Sequence, residues 1–226
     1  MMRYIVATVK PWNIDAFHRR TPGLPGEWRL VDRADDLDAA LVAGFKPRYV
    51  FFPHWSRKVP ADVRGAAECV CFHMTDVPYG RGGSPLQNLI QRGHATTVLS
   101  ALRMVDAFDA GPVYLKRPLD LSGRAQAIYE RAADLVYDMI AEIIERKPQP
   151  TPQVGDAVVF ERRTPEQSRL PVDATPAEIY DHIRMLDAET YPRAFVEDGG
   201  HRIELRDAEL SDDGVTTTAV IRPKEK

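Results

Sequence analysis

Short apolar runs alternate with segments of helical periodicity along most of the chain. The β-branched run at 4–9 is typical of a strand buried in a parallel sheet. Similar runs predict further strands at 28–31, 48–52, 66–73, 96–105 and 111–119. The longest helical pattern covers 125–146. Because strands that alternate with helices form βαβ units, we predict an α/β fold with a Rossmann-like, mostly parallel sheet and helices on both faces.

Polar residues ahead of the helical segments predict where the helices begin. Asn13, Asp35, Ser84 and Thr175 each precede an apolar pattern of period 3.6, and each has a side-chain oxygen that can accept a backbone N–H. These four residues are the expected N-caps.

A proline-rich segment divides the chain into unequal parts. We predict a catalytic domain at 1–146, a linker at 147–155 and a small α+β subdomain at 156–226. The last part is too short to hold a full core alone, so we expect it to dock on the first domain or on a second subunit, and a homodimer is possible.

Composition excludes several classes of protein. The 226 residues carry a net charge of -3, which argues against a partner held by many phosphate contacts, so no nucleic-acid partner is expected. No apolar stretch is long enough to cross a membrane, and the first residues do not resemble a signal peptide, which predicts a cytoplasmic protein without a membrane partner. Cys69 and Cys71 are expected to be free thiols. No cluster has the spacing of a metal site.

The apolar run at 66–73 ends in His73 and leads into a loop rich in polar and glycine residues. Asp109 lies in the loop after the next long strand. Open α/β sheets bind ligands at the carboxyl ends of their strands, so His73 and Asp109 form a candidate acid/base pair. The alternative is a hydrogen-bonded histidine at a strand end and a turn aspartate before Gly111.

The segment that runs from His73 through "TDVPYGRGGSP" to "FDAGP" resembles the formyltransferase family. This family includes methionyl-tRNA formyltransferase and the sugar-nucleotide N-formyltransferases that use 10-formyltetrahydrofolate. Its pattern is Asn-x-His at a strand end, then Leu-Pro-x-x-Arg-Gly-x-x-Pro and later Leu-Asp-x-Gly. The resemblance covers 45–120 well and the opening residues loosely. The residues that fit the pattern are His73, Pro78, Arg81, Gly82, Pro85, Asp109 and Gly111.

The chain departs from the family at Cys71, where the family has the Asn that helps to hold the oxyanion. Either Asn88 or Thr75 supplies the missing donor, or the chemistry has changed. The resemblance implies that His73 polarises the formyl oxygen or accepts the amine proton. It implies that Asp109 orients His73, binds the amine and relays the proton.

The resemblance also implies sites for the two substrates. Residues expected to bind 10-formyltetrahydrofolate are Trp55, Lys58, Val59, Asp106 and Phe108. Residues expected to bind the acceptor are Lys10, Trp12, Asn13, Arg81, Gly82, Gly83 and Tyr191. For some of these a structural role is equally open: Arg81 can bond loop carbonyls, and Tyr191 can pack the C-terminal part.

Within the family, the core loops look most like those of N-formyltransferases of the pseudaminic acid pathway. This predicts formyl transfer to the 4-amino group of a UDP-linked 4-amino-4,6-dideoxy sugar, in the synthesis of a surface glycan. The tail beyond the linker resembles that of sugar N-formyltransferases, so a nucleotide sugar is the expected partner. Two alternatives stay open: an N-acetyltransferase that uses acetyl-CoA on the same amine, and a non-catalytic module that binds folate or a nucleotide sugar.

Overall fold

The computed structural model describes residues 1–224, which form two compact units. The first comprises 1–82, 97–119 and 130–159, and the second comprises 83–96, 120–129 and the chain from 160 onward. This division differs from the predicted break at 147–155, because two internal segments group with the C-terminal part.

A six-stranded sheet organises the α/β part of the chain. Its strands follow the order β2-β1-β3-β4-β6-β7. The pairs β1–β2, β1–β3 and β3–β4 are parallel, whereas β4–β6 is antiparallel. The predicted mixed α/β fold with a mostly parallel sheet is confirmed. The strands are β1 (Arg3–Ala7), β2 (Glu27–Val31), β3 (Tyr49–Pro53), β4 (Glu68–His73), β6 (Thr96–Arg103) and β7 (Val113–Asp120).

Buried aliphatic and aromatic side chains explain why these runs form strands. Every residue of β3 is buried, and four of the five residues of β1 are buried. A core cluster joins Ile5, Val50, Phe52 and Cys69 from three neighbouring strands. Apolar contacts thus hold the sheet together, and polar residues lie at the ends of its strands.

The helices are α1 (Pro11–Arg20), α2 (Ala39–Phe45), α3 (Ala61–Ala66), α4 (Pro85–Gln91), α5 (Ala125–Arg146) and α6 (Pro176–Arg184). Within residues 1–224, none of them is long and apolar enough to cross a membrane.

Two of the four predicted N-caps are wrong. Helix α1 begins at Pro11, so Asn13 lies inside it and is buried. Asp38 rather than Asp35 caps α2, because it is the residue whose carboxylate accepts the Leu41 N–H. Ser84 is the N-cap residue of α4, with Pro85 as the first helical residue, as predicted, although its side chain makes no capping hydrogen bond.

The second unit contains a three-stranded antiparallel sheet of order β11-β10-β9. Its strands are β9 (Ala194–Asp198), β10 (His201–Ser211) and β11 (Gly214–Pro223). Thr175 caps α6 as predicted, in a reciprocal capping box with Glu178.

Two short segments, β5 (Arg81–Gly82) and β8 (Val159–Phe160), pair in a separate two-stranded sheet.

Candidate active site

His73 ends β4 with its imidazole buried and hydrogen-bonded. Its Nε2 lies 2.7 Å from the carbonyl oxygen of Gly80. A carbonyl oxygen can only accept, so Nε2 carries the proton in neutral His73. The other ring nitrogen, Nδ1, is therefore the atom with a free lone pair. That lone pair is the basic site of the residue.

Asp109 faces Nδ1 from the loop between β6 and β7. Its Oδ2 lies 3.6 Å from His73 Nδ1 and accepts the Gly82 N–H at 3.0 Å. Asp109 is in the left-handed backbone region (φ 53°), which aspartate tolerates better than most residues. Gly82 has φ 103°, a conformation that favours glycine. The structure thus brings together three of the residues expected in the site.

The route by which Asp109 reaches His73 differs from the expected one. We expected both residues at the carboxyl ends of parallel strands, but β6 is antiparallel to β4, with Ser100 opposite His73 and Arg103 opposite Val70. The β6–β7 loop therefore starts beside the first residues of β4. Asp109 approaches the face of β4 that carries the alternate residues Cys71 and His73.

Gly111 lets the β6–β7 loop pass close to the backbone of β6. A Cβ atom at Gly111 would lie 1.7 Å from the carbonyl oxygen of Arg103. No side chain fits at that distance, so the loop can close beside β6 only with glycine at this position.

The two residues expected to replace the family Asn use their donors elsewhere. The Thr75 hydroxyl donates to Gly80 O at 3.3 Å, and Thr75 is fully buried. The Asn88 amide belongs to the second unit, where Nδ2 lies within hydrogen-bond distance of the carbonyl oxygens of Gly83, Ser84 and Glu161. Neither side chain offers a free N–H or O–H to an oxyanion in this conformation.

The two cysteines are free thiols in the described chain. Burial raises the pKa of the Cys69 thiol to about 12, and burial followed by the negative charge of Asp109 raises the pKa of the Cys71 thiol. Both thiols stay protonated at neutral pH. A thiolate nucleophile is therefore excluded.

Arg81 and Gln153 form a second layer around Asp109. Gln153 accepts from Arg81 Nε at 3.0 Å and from Nη2 at 2.7 Å. It donates to the carbonyl oxygens of Asp109 at 2.8 Å and Gly111 at 2.7 Å. The sequence offered no signal for Gln153, which lies in the segment read as a linker. The Arg81 guanidinium thus bonds the Gln153 side chain rather than loop carbonyls, and its contact with the acceptor stays a prediction.

A further cluster lies at the carboxyl ends of β1 and β3. The Lys10 ammonium lies 5.5 Å from the centre of the Trp12 ring, which lies 5.3 Å from the His54 ring. Burial lowers the pKa of Lys10. Asn13 Nδ2 is 3.5 Å from Pro53 O. The three acceptor residues predicted here therefore lie together. His54, which sequence reasoning missed, follows a strand end just as His73 does.

The residues predicted to bind folate differ in exposure. Phe108 is 67% exposed in the loop that carries Asp109, and Lys58 is also exposed. The Trp55 ring packs edge-on against Phe52, and Val59 is buried in the core cluster. Phe108 is thus the one of these apolar side chains most open to a ligand.

Other predicted residues serve contacts within the protein. The Asp106 carboxylate pairs with Arg64. In the second unit, Tyr191 donates to Gln87 Oε1 at 3.2 Å, and a Cβ at Gly83 would lie 2.5 Å from Arg162 Cα. The backbone of Arg162 therefore occupies the space beside Gly83, and that space is not open. Among residues 1–224, no group of three His, Cys, Asp or Glu side chains could hold a metal ion.

Comparisons with known proteins relate this chain to methionyl-tRNA formyltransferases. Residues 165–222 match the family model for the methionyl-tRNA formyltransferase C-terminal domain. A solved methionyl-tRNA formyltransferase from Clostridium thermocellum is 41% identical, with a TM-score of 0.96 over 99% of this chain and 100% of that one. The methionyl-tRNA formyltransferase of Lactobacillus acidophilus is 29% identical over 154 residues, 65% of this chain and 48% of its own length. The chain thus spans about half the length of such curated relatives.

A more distant structure shares only the fold. HypX from Aquifex aeolicus, solved in complex with tetrahydrofolic acid, is 18% identical with a TM-score of 0.81, over 100% of this chain and 45% of that one.

These comparisons correct the predicted acceptor. The chain is 41% identical over its full length to a methionyl-tRNA formyltransferase, so the expected UDP-linked amino sugar, the pseudaminic acid pathway and the absence of a nucleic-acid partner are wrong. The C-terminal part was likewise expected to resemble a sugar-enzyme tail, and it instead matches a methionyl-tRNA formyltransferase domain.

The identity of 41% across the full length of a methionyl-tRNA formyltransferase shows that this chain belongs to the formyltransferase family, whose members are enzymes that transfer a formyl group.

Proposed function

We propose that this protein transfers the formyl group of 10-formyltetrahydrofolate to the amino group of methionyl-tRNA. The observation that carries the proposal is the contact of His73 Nδ1 with Asp109 Oδ2 in a chain so similar to a methionyl-tRNA formyltransferase. The formyl donor supplies an activated N-formyl group, and no side chain need become acylated. Because translation takes place in the cytoplasm, this proposal includes a cytoplasmic location for the protein.

His73 is the proton acceptor in this proposal. The Gly80 carbonyl holds the proton on Nε2, which leaves the Nδ1 lone pair to take a proton from the attacking amine. The same Nδ1–H then donates that proton to the departing nitrogen of the folate. One atom thus serves as base and then as acid.

Asp109 supports the charge that this cycle creates. When Nδ1 gains a proton, the carboxylate 3.6 Å away stabilises the imidazolium. The Gly82 N–H holds the same carboxylate oxygen in place. Asp109 therefore needs no proton of its own to assist His73.

The folate is expected to lie against the loop that carries Asp109. Val105 and Phe108 are both exposed apolar side chains of this loop, 41% and 67% respectively. Exposed apolar side chains beside an acid/base pair fit a planar pterin ring. Phe108 and Val105 are thus the proposed apolar wall of the folate site.

The test is a direct assay with purified protein and 10-formyltetrahydrofolate. Methionyl-tRNA is compared with deacylated tRNA and free methionine, and the product is released and identified by mass spectrometry. We expect N-formylmethionine from the charged tRNA alone, and none from the His73→Ala protein. Formylation of free methionine at the same rate would overturn the proposed acceptor, and an acetylated product with acetyl-CoA would overturn the proposed donor.

A further inference from the structure

The side chain of Gln153 lies between the two loops that form the candidate site. One loop carries Arg81 and Gly82, and the other carries Asp109 and Gly111. Gln153 comes from neither loop, because it follows α5 in the proline-rich segment. It touches both loops with one amide group.

The hydrogen-bonding capacity of this amide is fully used. An amide nitrogen has two N–H donors, and here they reach the carbonyl oxygens of Asp109 and Gly111. The amide oxygen has two lone pairs, and here they accept two N–H groups of Arg81. Arginine can only donate and carbonyls can only accept, so the amide has one permitted orientation.

Backbone pairing explains how Gln153 reaches this position. Thr151 forms an antiparallel bridge with Val113 at the start of β7, with N–H···O distances of 2.7 and 2.9 Å in the two directions. Two residues further along such a pair, position 153 lies beside position 111. The backbone pairing thus places the Gln153 side chain beside the Asp109 loop.

We propose that Gln153 is a positioning residue, which holds the Asp109 backbone so that the carboxylate faces His73 Nδ1. The inference rests on the proposed function and deepens it. Asp109 is in the left-handed region, and its own carbonyl oxygen is one of the two that Gln153 binds. Without this donor, the backbone can relax and carry the carboxylate away from His73. A displacement of about 1 Å at a reacting group can cost roughly 100-fold in rate.

A glutamate at position 153 tests the contact with Arg81 separately from the contacts with the carbonyl oxygens of Asp109 and Gly111. Gln153→Glu keeps the size of the side chain and the acceptor for Arg81, but its carboxylate has no donor for the two carbonyl oxygens. Gln153→Ala removes both halves. Gln91→Ala is the matched control, because Gln91 Oε1 also accepts from an arginine, Arg163 Nη1 at 3.0 Å, on the second unit.

The first measurement is steady-state kinetics of formyl transfer by these proteins. We expect both Gln153 variants to lose about 100-fold in kcat with little change in KM for the folate. We expect Gln91→Ala to keep the wild-type kcat. Wild-type kcat in Gln153→Glu would overturn the proposal, as would an equal loss in Gln91→Ala.

The second measurement does not depend on the reaction. The Gly82 N–H donates to the Asp109 carboxylate, so its hydrogen exchange, followed by NMR, reports whether that carboxylate is in place. We expect faster exchange at Gly82 in both Gln153 variants and an unchanged rate in Gln91→Ala. If wild-type protein shows no formyl transfer, the proposed function fails, and Gly82 exchange still decides the positioning role. Unchanged exchange in both Gln153 variants would overturn it.

Discussion

Asp109 Oδ2 lies 3.6 Å from His73 Nδ1 and 3.0 Å from the Gly82 nitrogen, so one carboxylate oxygen serves both the imidazole and the glycine loop. The other ring nitrogen of His73 is bound to Gly80. The imidazole is therefore held from both sides, by a carbonyl at one nitrogen and a carboxylate near the other. Its orientation is set before any ligand binds.

Asp109→Asn should lower kcat of formyl transfer by about 100-fold to 10,000-fold. Asparagine keeps the size of the side chain but removes the negative charge that stabilises protonated His73. The measurement is kcat under saturating 10-formyltetrahydrofolate. Asp138→Asn is the matched control, because Asp138 pairs with Arg20 on an exposed surface of the same unit. Wild-type turnover in Asp109→Asn would remove Asp109 from the mechanism.

Gly111→Ala should destabilise the protein by about 1–3 kcal/mol and reduce activity, because its methyl group would overlap Arg103 O. Urea unfolding with an activity assay measures both effects. Gly65→Ala in α3 is the control, since nothing lies within 4 Å of a Cβ there. Alanine inside a helix should instead add about 0.5–1 kcal/mol of stability. Equal stabilities of the two variants would contradict the steric argument.

Cys71→Asn should increase formyl transfer, on the order of 10-fold to 100-fold in kcat, because it restores the amide donor found in the family. Thr75 and Asn88 donate to backbone carbonyls and do not replace that donor. The measurement compares kcat of Cys71→Asn with that of Cys71→Ala, which removes the thiol without adding a donor. If the two variants have the same kcat, the missing amide is not what limits the reaction.

His54 should make stability depend on pH between about 6.5 and 3. Burial, and then the positive charge of Lys10, lowers the pKa of the folded His54 to about 3, whereas an unfolded histidine titrates near 6.5. In that window the unfolded chain binds a proton that the folded protein does not, so stability falls as pH falls. From pH 7.5 to 5 this loss should be about 1–2 kcal/mol, because the side chain is partly exposed and water screens the charge.

His54→Gln should flatten this part of the stability curve, measured by urea unfolding at pH 7.5, 6 and 5. His18→Gln, at an exposed position on α1, should leave the slope as it is in the wild type. A His54→Gln protein with the wild-type slope would show that other groups cause the acid sensitivity.

The sequence predicted the parts of the fold that depend on local pattern. All six strands of the main sheet and the long helix α5 lie where apolar runs and helical periodicity indicated. The sequence did not reveal that β6 is antiparallel to β4, because strand direction depends on contacts between distant residues. Asn13 has a side chain suited to a helix cap, but α1 begins at Pro11, so Asn13 lies buried within the helix.

The site shows the same limit. Motifs identify His73 and Asp109, and the structure places Asp109 Oδ2 3.6 Å from His73 Nδ1, while their catalytic roles stay predictions. Gln153 was missed because its neighbours are prolines and polar residues, which are typical of a linker. The pairing of Thr151 with Val113 shows that this segment is part of the first unit.

The contacts of Gln153 and Val158 also limit when the two loops beside His73 can be fastened during synthesis on the ribosome. The Val158 N–H and C=O bind Pro78 O and the Arg81 N–H, and Gln153 binds the Asp109 loop. During synthesis, a chain that has emerged only as far as the end of α5 contains His73, Arg81 and Asp109 but none of these contacts. The contacts that fasten the two loops beside His73 can therefore form only after residue 158 has left the exit tunnel.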